Sequence, residues 1–258
     1  MGQFYYNGLV VSLQRLFLVS LLITIAPATS ALTVQTLRQA DQSYTVITVD
    51  LKRDALQLFL HDNQGRLYQS FSAITQNLSK SQQLVFAMNA GMFHANYLPV
   101  GLYVEQAQTL YPLYPLNTAQ GKGNFFMQPN GVFLRDSQGF KILSTADFLH
   151  QPPQSIQLAT QSGPMLVDQS RINAQFKPDS TSRYIRNAVG IRSAQQAVFV
   201  ISEQPVSFYE LAYFFRQRLQ INQALYLDGA ISSLYLPVLK RHDRQRLLGP
   251  IIGVVNRP

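Results

Sequence analysis

Asp228 is the residue of this sequence best placed for acid/base work. It closes an apolar run, Ala224-Leu-Tyr-Leu-Asp228, and Gly229-Ala-Ile-Ser232-Ser233 follows it. A carboxylate at a strand end stands on a rigid support and opens onto a solvent-accessible loop, where sites are usually built. The same residue types also make ordinary turns and caps, so chemistry at Asp228 requires partners. Arg186 is the first of these. In Arg183-Tyr-Ile-Arg186-Asn187-Ala-Val-Gly190 an arginine enters an apolar run. A guanidinium drawn into a core requires a carboxylate or an anionic ligand, and its planar fork suits two oxygens of one phosphate.

Three further segments offer amides and hydroxyls beside glycine. Asn89-Ala-Gly91-Met-Phe93 follows the buried run Leu84–Met88, Asn130-Gly131-Val-Phe133 opens another apolar run, and Gln161-Ser162-Gly163-Pro164 precedes a third. An asparagine amide both donates and accepts. Asn-Gly between apolar runs is also a strong hairpin signal. The spacing around Ser162 lacks the Gly-x-Ser-x-Gly elbow, so Ser162 is not read as a hydrolase nucleophile. Two secondary candidates remain. His94 lies in the loop after Gly91. Glu210 follows Ser207 at capping-box spacing and is alternatively a partner for Arg186 or a second carboxylate.

Composition narrows the chemistry. The 258 residues hold ten Asp and three Glu against 21 Lys and Arg, with a formal charge of +8. There is no cysteine, which excludes disulfides, zinc–thiolate sites and cysteine nucleophiles. Four histidines and no clustered ligand spacing give no metal site, and no cofactor motif is present. No nucleic-acid motif accompanies the positive charge. The basic cluster Lys240–Arg246 reads as a solvated loop, or more sharply as an anion or membrane-surface patch.

The N-terminus reads as an address. Arg15, the apolar run Leu16–Ile25 and the small residues Ala26–Ala31 form a secretory signal peptide over residues 1–31. Its apolar run is shorter than the roughly 20 residues of a membrane span. Cleavage would remove one positive charge from +8, leaving +7. A secreted chain without cysteine suits the bacterial periplasm or cell surface.

Residues 32–258 are then one domain. Apolar and β-branched runs bounded by polar or turn residues predict strands at 44–50, 55–61, 66–71 (returning after the turn Asp62-Asn-Gln-Gly65), 84–88, 101–105, 131–135, 140–143, 156–160, 164–168, 188–192, 197–202, 224–227, 233–236 and 251–255. Helical spacing predicts a short helix over Thr145–His150 and a longer one over Ser207–Gln220. Residues 117–125 read as a mobile surface loop. Many strands with few helices make this an α+β domain with a strand-rich, mixed-sheet core.

Taken in order, the motifs Asn-Ala-Gly-Met-Phe, Pro-Val-Gly (99–101), Asn-Gly-Val-Phe, Gln-Ser-Gly-Pro-Met-Leu, Arg-Asn-Ala-Val-Gly and Leu-Asp-Gly-x-x-Ser-Ser resemble the phosphodiester glycosidase family across about residues 44–255. The resemblance implies removal of a sugar from a sugar-1-phosphodiester or phosphorylated glycan. Ala90, Asn187 and Ala230 stand where many members have Gly, Thr and Gly, and the added methyl groups narrow the pocket. A departing phosphate monoester needs positive charge more than a proton. On this reading Asp228 works at the anomeric centre, as nucleophile or base, and Arg186 grips the phosphate. Asn89, Gly91, Asn130, Gln161, Ser162, Gly163, Asn187, Gly229, Ser232 and Ser233 line the substrate.

Overall fold

The computed structural model describes residues 1–3, 32–115, 123–228 and 231–256. Residues 4–31, which hold nearly all of the expected signal peptide, lie outside these, as does Gly229. Three sheets make up the fold. The first has seven strands in the order β1 (Thr33–Gln39), β2 (Gln42–Asp50), β13 (Gln196–Ser202), β12 (Asn187–Ser193), β14 (Ala224–Asp228), β10 (Met165–Asp168) and β11 (Arg171–Ile172). The second runs β16 (Arg241–His242), β15 (Leu234–Leu236), β4 (Gln83–Asn89), β17 (Ile251–Asn256) and β3 (Leu56–Phe59). The third runs β6 (Gln108–Tyr111), β5 (Tyr103–Glu105), β9 (Leu158–Ser162), β7 (Gly131–Asp136) and β8 (Gly139–Ser144). The domain is strand-rich α+β as expected. Its sheets, expected to be mixed, are antiparallel in every pairing among the described residues.

One apolar core joins all three sheets. Ile47, Phe86, Phe133, Phe199, Leu225 and Ile252 meet there with almost no exposure. Strand alternation sends intervening residues to the opposite face. In β13, Ala197, Phe199 and Ile201 enter the shared core, whereas Val198 and Val200 pack under a helix. Each sheet thus has a short helix over its outer face: α1 (Phe71–Asn77) on the second, α2 (Thr145–His150) on the third and α3 (Phe208–Tyr213) on the first. Covering both faces is why these strands read as continuous apolar runs rather than as half-polar ones.

Departures from the expected elements have local causes. The predicted helix over 207–220 starts on its capping box, but from Phe214 to Arg218 it is a π turn. The wider turn sets consecutive aromatics on the sheet: Phe214 stacks on Tyr44 at 3.9 Å, and Phe215 closes on the backbone of Gly190. The return strand expected at 66–71 reduces to a bridge between His61 and Leu67, because Ser70 caps α1 through the Ala73 N–H. Asn130-Gly131 is not a hairpin tip. Gly131 opens β7, and that hairpin turns after Asp136. Residues 124 and 125, at the end of the expected mobile loop, belong to a 3-10 turn over Asn124–Phe126 with Phe125 buried.

Glu105 is an isolated strain on the third sheet. Burial raises its carboxyl above the ordinary value of 4.5, outweighing hydrogen bonds from the Tyr103 hydroxyl (2.8 Å) and the Leu60 N–H. A raised folded value means the native state holds this proton more tightly than the unfolded chain, so stability is lost as pH rises above 4.5 toward that value. In Glu105→Gln this part of the pH–stability curve flattens, as urea denaturation across a pH series would show. An unchanged slope would remove Glu105 as its source.

Candidate active site

Several of the predicted residues meet where the ends of the three sheets converge. Asn89 ends β4 and Asn187 begins β12, and their buried amides bind one another. Asn187 Nδ2 donates to the Asn89 carbonyl at 2.9 Å and to Asn89 Oδ1 at 3.1 Å. Asn89 Nδ2 returns a longer bond to Asn187 Oδ1 at 3.4 Å. The free oxygen positions then hold backbone: Asn187 Oδ1 accepts from the Asp228 N–H at 3.0 Å, and Asn89 Oδ1 accepts from the Ser233 N–H at 2.9 Å. The Ser232 hydroxyl donates to the Asp228 carbonyl at 2.8 Å and reaches Asn187 Oδ1 at 3.3 Å. Asp228 is therefore gripped at both its backbone N–H and its carbonyl.

A register shift lies at this point. Asn187 pairs with Asp228 and Ala188 with Tyr226, so Leu227 is the extra residue of a bulge. A bulge bends its strand and re-aims side chains. The displaced Leu227 carbonyl accepts from the Ser162 hydroxyl at 3.0 Å, which ties the third sheet to the site. The Thr160 hydroxyl makes a second tie, to the Ala90 carbonyl at 2.8 Å. Gly91 permits that contact, since a Cβ there would lie 2.7 Å from Thr160 Oγ1. Gly163 serves likewise, because its missing side chain leaves room for Asn130, whose Cβ would be 2.5 Å away.

Leu225 and Leu227 face the shared core and Tyr226 the other face, with Arg186. The bulge interrupts this alternation before Asp228, whose negative charge acts on the Tyr226 phenol. Asp228 is only 9% exposed and Arg186 only 1%. Arg186 donates from Nε to the Val206 carbonyl (2.8 Å), from Nη1 to the Tyr226 hydroxyl (3.0 Å) and from Nη2 to the Ser182 carbonyl (3.1 Å). Its guanidinium also lies 3.8 Å from the centre of the Phe208 ring. A guanidinium has five N–H groups, so partners among the described residues leave two to turn elsewhere. Burial first, then the negative charge of Asp228, hold the Tyr226 phenol well above its ordinary value, against the pull of Arg186. The phenol stays protonated at physiological pH. It also bonds the side chain of Asn124.

Other candidates have different places. All four hydrogen-bonding positions of Gln161 serve the fold: its oxygen accepts from the N–H groups of Leu102 and Tyr114, and its nitrogen donates to the Tyr114 carbonyl and Thr145 Oγ1. Asn130 Nδ2 holds the Phe125 carbonyl, and no partner for its oxygen is found among the described residues. Glu210 completes the capping box and pairs with Arg183 at 2.8 Å. His94 is exposed in a turn closed by its own backbone.

Tyr226, two residues before Asp228 in β14, carried no site signal of its own. No linear signal marked the ion triad of Glu203, Arg241 and Asp243 either. Arg241, expected on a solvated loop, bonds Glu203 at 2.9 Å and Asp243 at 3.0 Å. The triad borders a cavity of about 390 Å³ that Ser232 and Ser233 also line.

Comparison with known proteins agrees with this fold. A family profile described as phosphodiester glycosidase matches residues 82–255. The uncharacterized protein YigE of Escherichia coli (strain K12) is 35% identical over 199 residues, 76% of each chain. The zebrafish N-acetylglucosamine-1-phosphodiester alpha-N-acetylglucosaminidase catalytic domain, auto-inhibited by its pro-peptide, superposes with a TM-score of 0.60 at 14% identity, covering 88% of this chain and 83% of that one. A putative exported protein of Burkholderia pseudomallei superposes with a TM-score of 0.53 at 11% identity, over 83% and 74%. At these identities the structures share the fold.

The Asn–Asn pair makes a direct prediction. Asn187→Ala strips the Asp228 N–H and the Asn89 amide of buried partners, each loss costing about 1–3 kcal/mol. We expect a lowered melting temperature and faster hydrogen exchange at Asp228 and Ser233. Retention of wild-type protection at both amides would show that the clamp is dispensable.

Proposed function

This chain belongs to the phosphodiester glycosidase family, and from that premise we propose that it is a hydrolase that splits sugar-1-phosphodiester bonds in a phosphoglycan of the bacterial envelope. The observation that supports this most is the placement of Asp228. Its backbone is clamped at both ends, and its charge acts on the Tyr226 phenol, which accepts a hydrogen bond from the buried Arg186.

The reaction adds water across the bond between the anomeric carbon and the phosphate oxygen. The bond's electron pair leaves with the phosphate, which departs as a monoester anion. Arg186 supplies positive charge from within the fold, and its two remaining N–H groups are what it can offer a phosphate oxygen. A fixed cation in a site shielded from water stabilises developing negative charge more than the same cation in solution. Asp228 acts at the anomeric carbon. Attack by its carboxylate gives retention of configuration, and activation of water gives inversion. Asn89, Asn187 and Ser162 hold the strand ends rather than the substrate, because their polar atoms face protein partners. Asn130 offers the oxygen noted above to a ligand.

N-acetylglucosamine, the sugar in the zebrafish protein's name, is the first to test. An envelope location follows from the N-terminal pattern of residues 1–31. Among the described residues no helix is long and apolar enough to cross a membrane.

The experiment is to incubate the chain, without residues 1–31, with N-acetylglucosamine-1-phosphodiesters and other hexose-1-phosphodiesters and to measure free sugar. Asp228→Asn should lower kcat at least about a hundredfold, as loss of a positioned acid/base does, with an unchanged circular dichroism spectrum. Sugar release that persists at the wild-type rate would remove Asp228 from the mechanism. Saturable binding of every diester without turnover would make the protein a phosphoglycan-binding module instead.

A further inference from the structure

The cavity beside the ion triad has a lining suited to one kind of ligand. Its volume, about 390 Å³, lies within the roughly 300–1,000 Å³ of small-molecule sites. Charge does not favour a phosphate there. Two carboxylates, Glu203 and Asp243, stand against two guanidinium groups, Arg241 and Arg246. Arg241 is spent on the carboxylates, bonding both oxygens of Glu203 at 2.9 and 3.1 Å and both of Asp243 at 3.0–3.2 Å.

What the cavity offers is an even mixture of acceptors and donors. A carboxylate has about four lone-pair positions, so the triad keeps acceptor capacity after Arg241 is satisfied. Ser233 and Ser232 donate to the carbonyls of Ile231 and Asp228 and so present their oxygens as acceptors. Gln245 and Arg246 supply donors. A sugar hydroxyl donates and accepts at once, and an unsatisfied hydroxyl in a pocket is costly.

Tyr184 adds the apolar element. Its backbone is fixed by reciprocal hydrogen bonds with Val206, at 3.1 and 2.8 Å, yet the residue is 53% exposed. The Arg186 guanidinium lies 5.1 Å from the ring centre. A large amphipathic ring whose backbone is held by a β-bridge is a recurrent kind of binding element. Ser232 joins this cavity to the reaction centre, since the hydroxyl that borders it also holds the Asp228 carbonyl.

We propose that this cavity is the subsite for the sugar ring cleaved from the phosphodiester, with the Tyr184 ring against its C–H face and the Glu203–Arg241–Asp243 triad, Gln245 and Arg246 sorting its hydroxyls. The assignment rests on the reading that the bond is broken beside Asp228, and it places the neutral sugar in this cavity and the phosphate on the Arg186 side.

The test uses saturation-transfer NMR with free N-acetylglucosamine and free glucose, and separately inhibition by inorganic phosphate, on the chain lacking residues 1–31. Wild type should show transfer from at least one sugar. Tyr184→Ala, Gln245→Ala and Arg246→Ala should each abolish or weaken it, and each should raise KM for the diester about tenfold while kcat falls less than about threefold, the pattern of lost ground-state binding. The phosphate inhibition constant should stay within about twofold in Gln245→Ala and Arg246→Ala, whereas Tyr184→Ala, which also removes a ring from beside Arg186, is read by its sugar signal and KM alone. Relief of phosphate inhibition in Gln245→Ala or Arg246→Ala with the sugar signal kept would overturn the proposal in favour of an anion site. Absence of sugar transfer in an enzyme that turns over diesters would overturn it and leave the hydrolase reading standing. Sugar transfer sensitive to Tyr184→Ala without turnover of any diester would uphold the subsite and sink the hydrolase reading.

Discussion

The amide pair of Asn89 and Asn187 is the constraint on which the rest of the site depends. Both residues are fully buried, at the ends of strands from different sheets. A buried amide is tolerable only when its donors and acceptors are met. Here each amide meets the other, and the remaining acceptor positions take the N–H groups of Asp228 and Ser233. The strand that carries the carboxylate and the segment that carries the two serines are thus fixed by one interaction. Neither sheet can slide against the other without breaking several buried hydrogen bonds together, which makes the alternatives costly and the geometry well defined. The third sheet adds Ser162 and Thr160, each donating to a carbonyl at the same junction.

Around this clamp the electrostatics divide the site in two. On one face lies Arg186, enclosed by two carbonyls, a phenol and the Phe208 ring. Oriented neutral dipoles let a guanidinium remain in the interior while its charge still reaches a neighbouring anion. On the other side lies a triad whose charges are matched internally. A sugar phosphodiester has the same division, with a charged phosphate on one side of the scissile bond and neutral hydroxyls on the other. Asp228 sits between them, its carbonyl touched by the Ser232 that borders the cavity and its charge felt by the Tyr226 that holds Arg186.

Much of this was legible in the sequence, for physical reasons that also mark where legibility ended. Continuous apolar, β-branched runs marked the core strands because both faces of each sheet are covered, and Ser207 with Glu210 announced a helix start through a local hydrogen-bond pattern that the structure reproduces. The family resemblance picked out the motifs at the clamp. What local pattern could not reveal was partnership across long separations. Gln161 was expected at the substrate, but its amide holds the segment around Tyr114, 47 residues away. Asn130-Gly131 carried a turn signal, yet tertiary packing of Gly131 against Leu143 and Met165 made it a strand start. Arg241 and Glu203, 38 residues apart, pair only because β13 and β16 end at the same junction.

The scarcity of acids becomes intelligible at this level. Asp62 is committed to Arg66, Asp136 to Lys141, Glu210 to Arg183, and Glu203 with Asp243 to Arg241. Glu105 is held by Tyr103. Asp50 holds Gln196, Asp54 the Asp50 N–H and Asp147 the Ser144 hydroxyl, so most carboxylates among the described residues fix structure, and a glycosidase built on two free acids would have few to spare. Splitting a sugar from phosphate relaxes that demand, because the leaving group is already a stable anion and needs a cation behind it. A carboxylate set by a bulge at a clamped strand end, its charge felt by the phenol that a buried guanidinium bonds, suits the reaction proposed for this chain. The position of Asp228 thus follows from the same hydrogen bonds that hold the three sheets together.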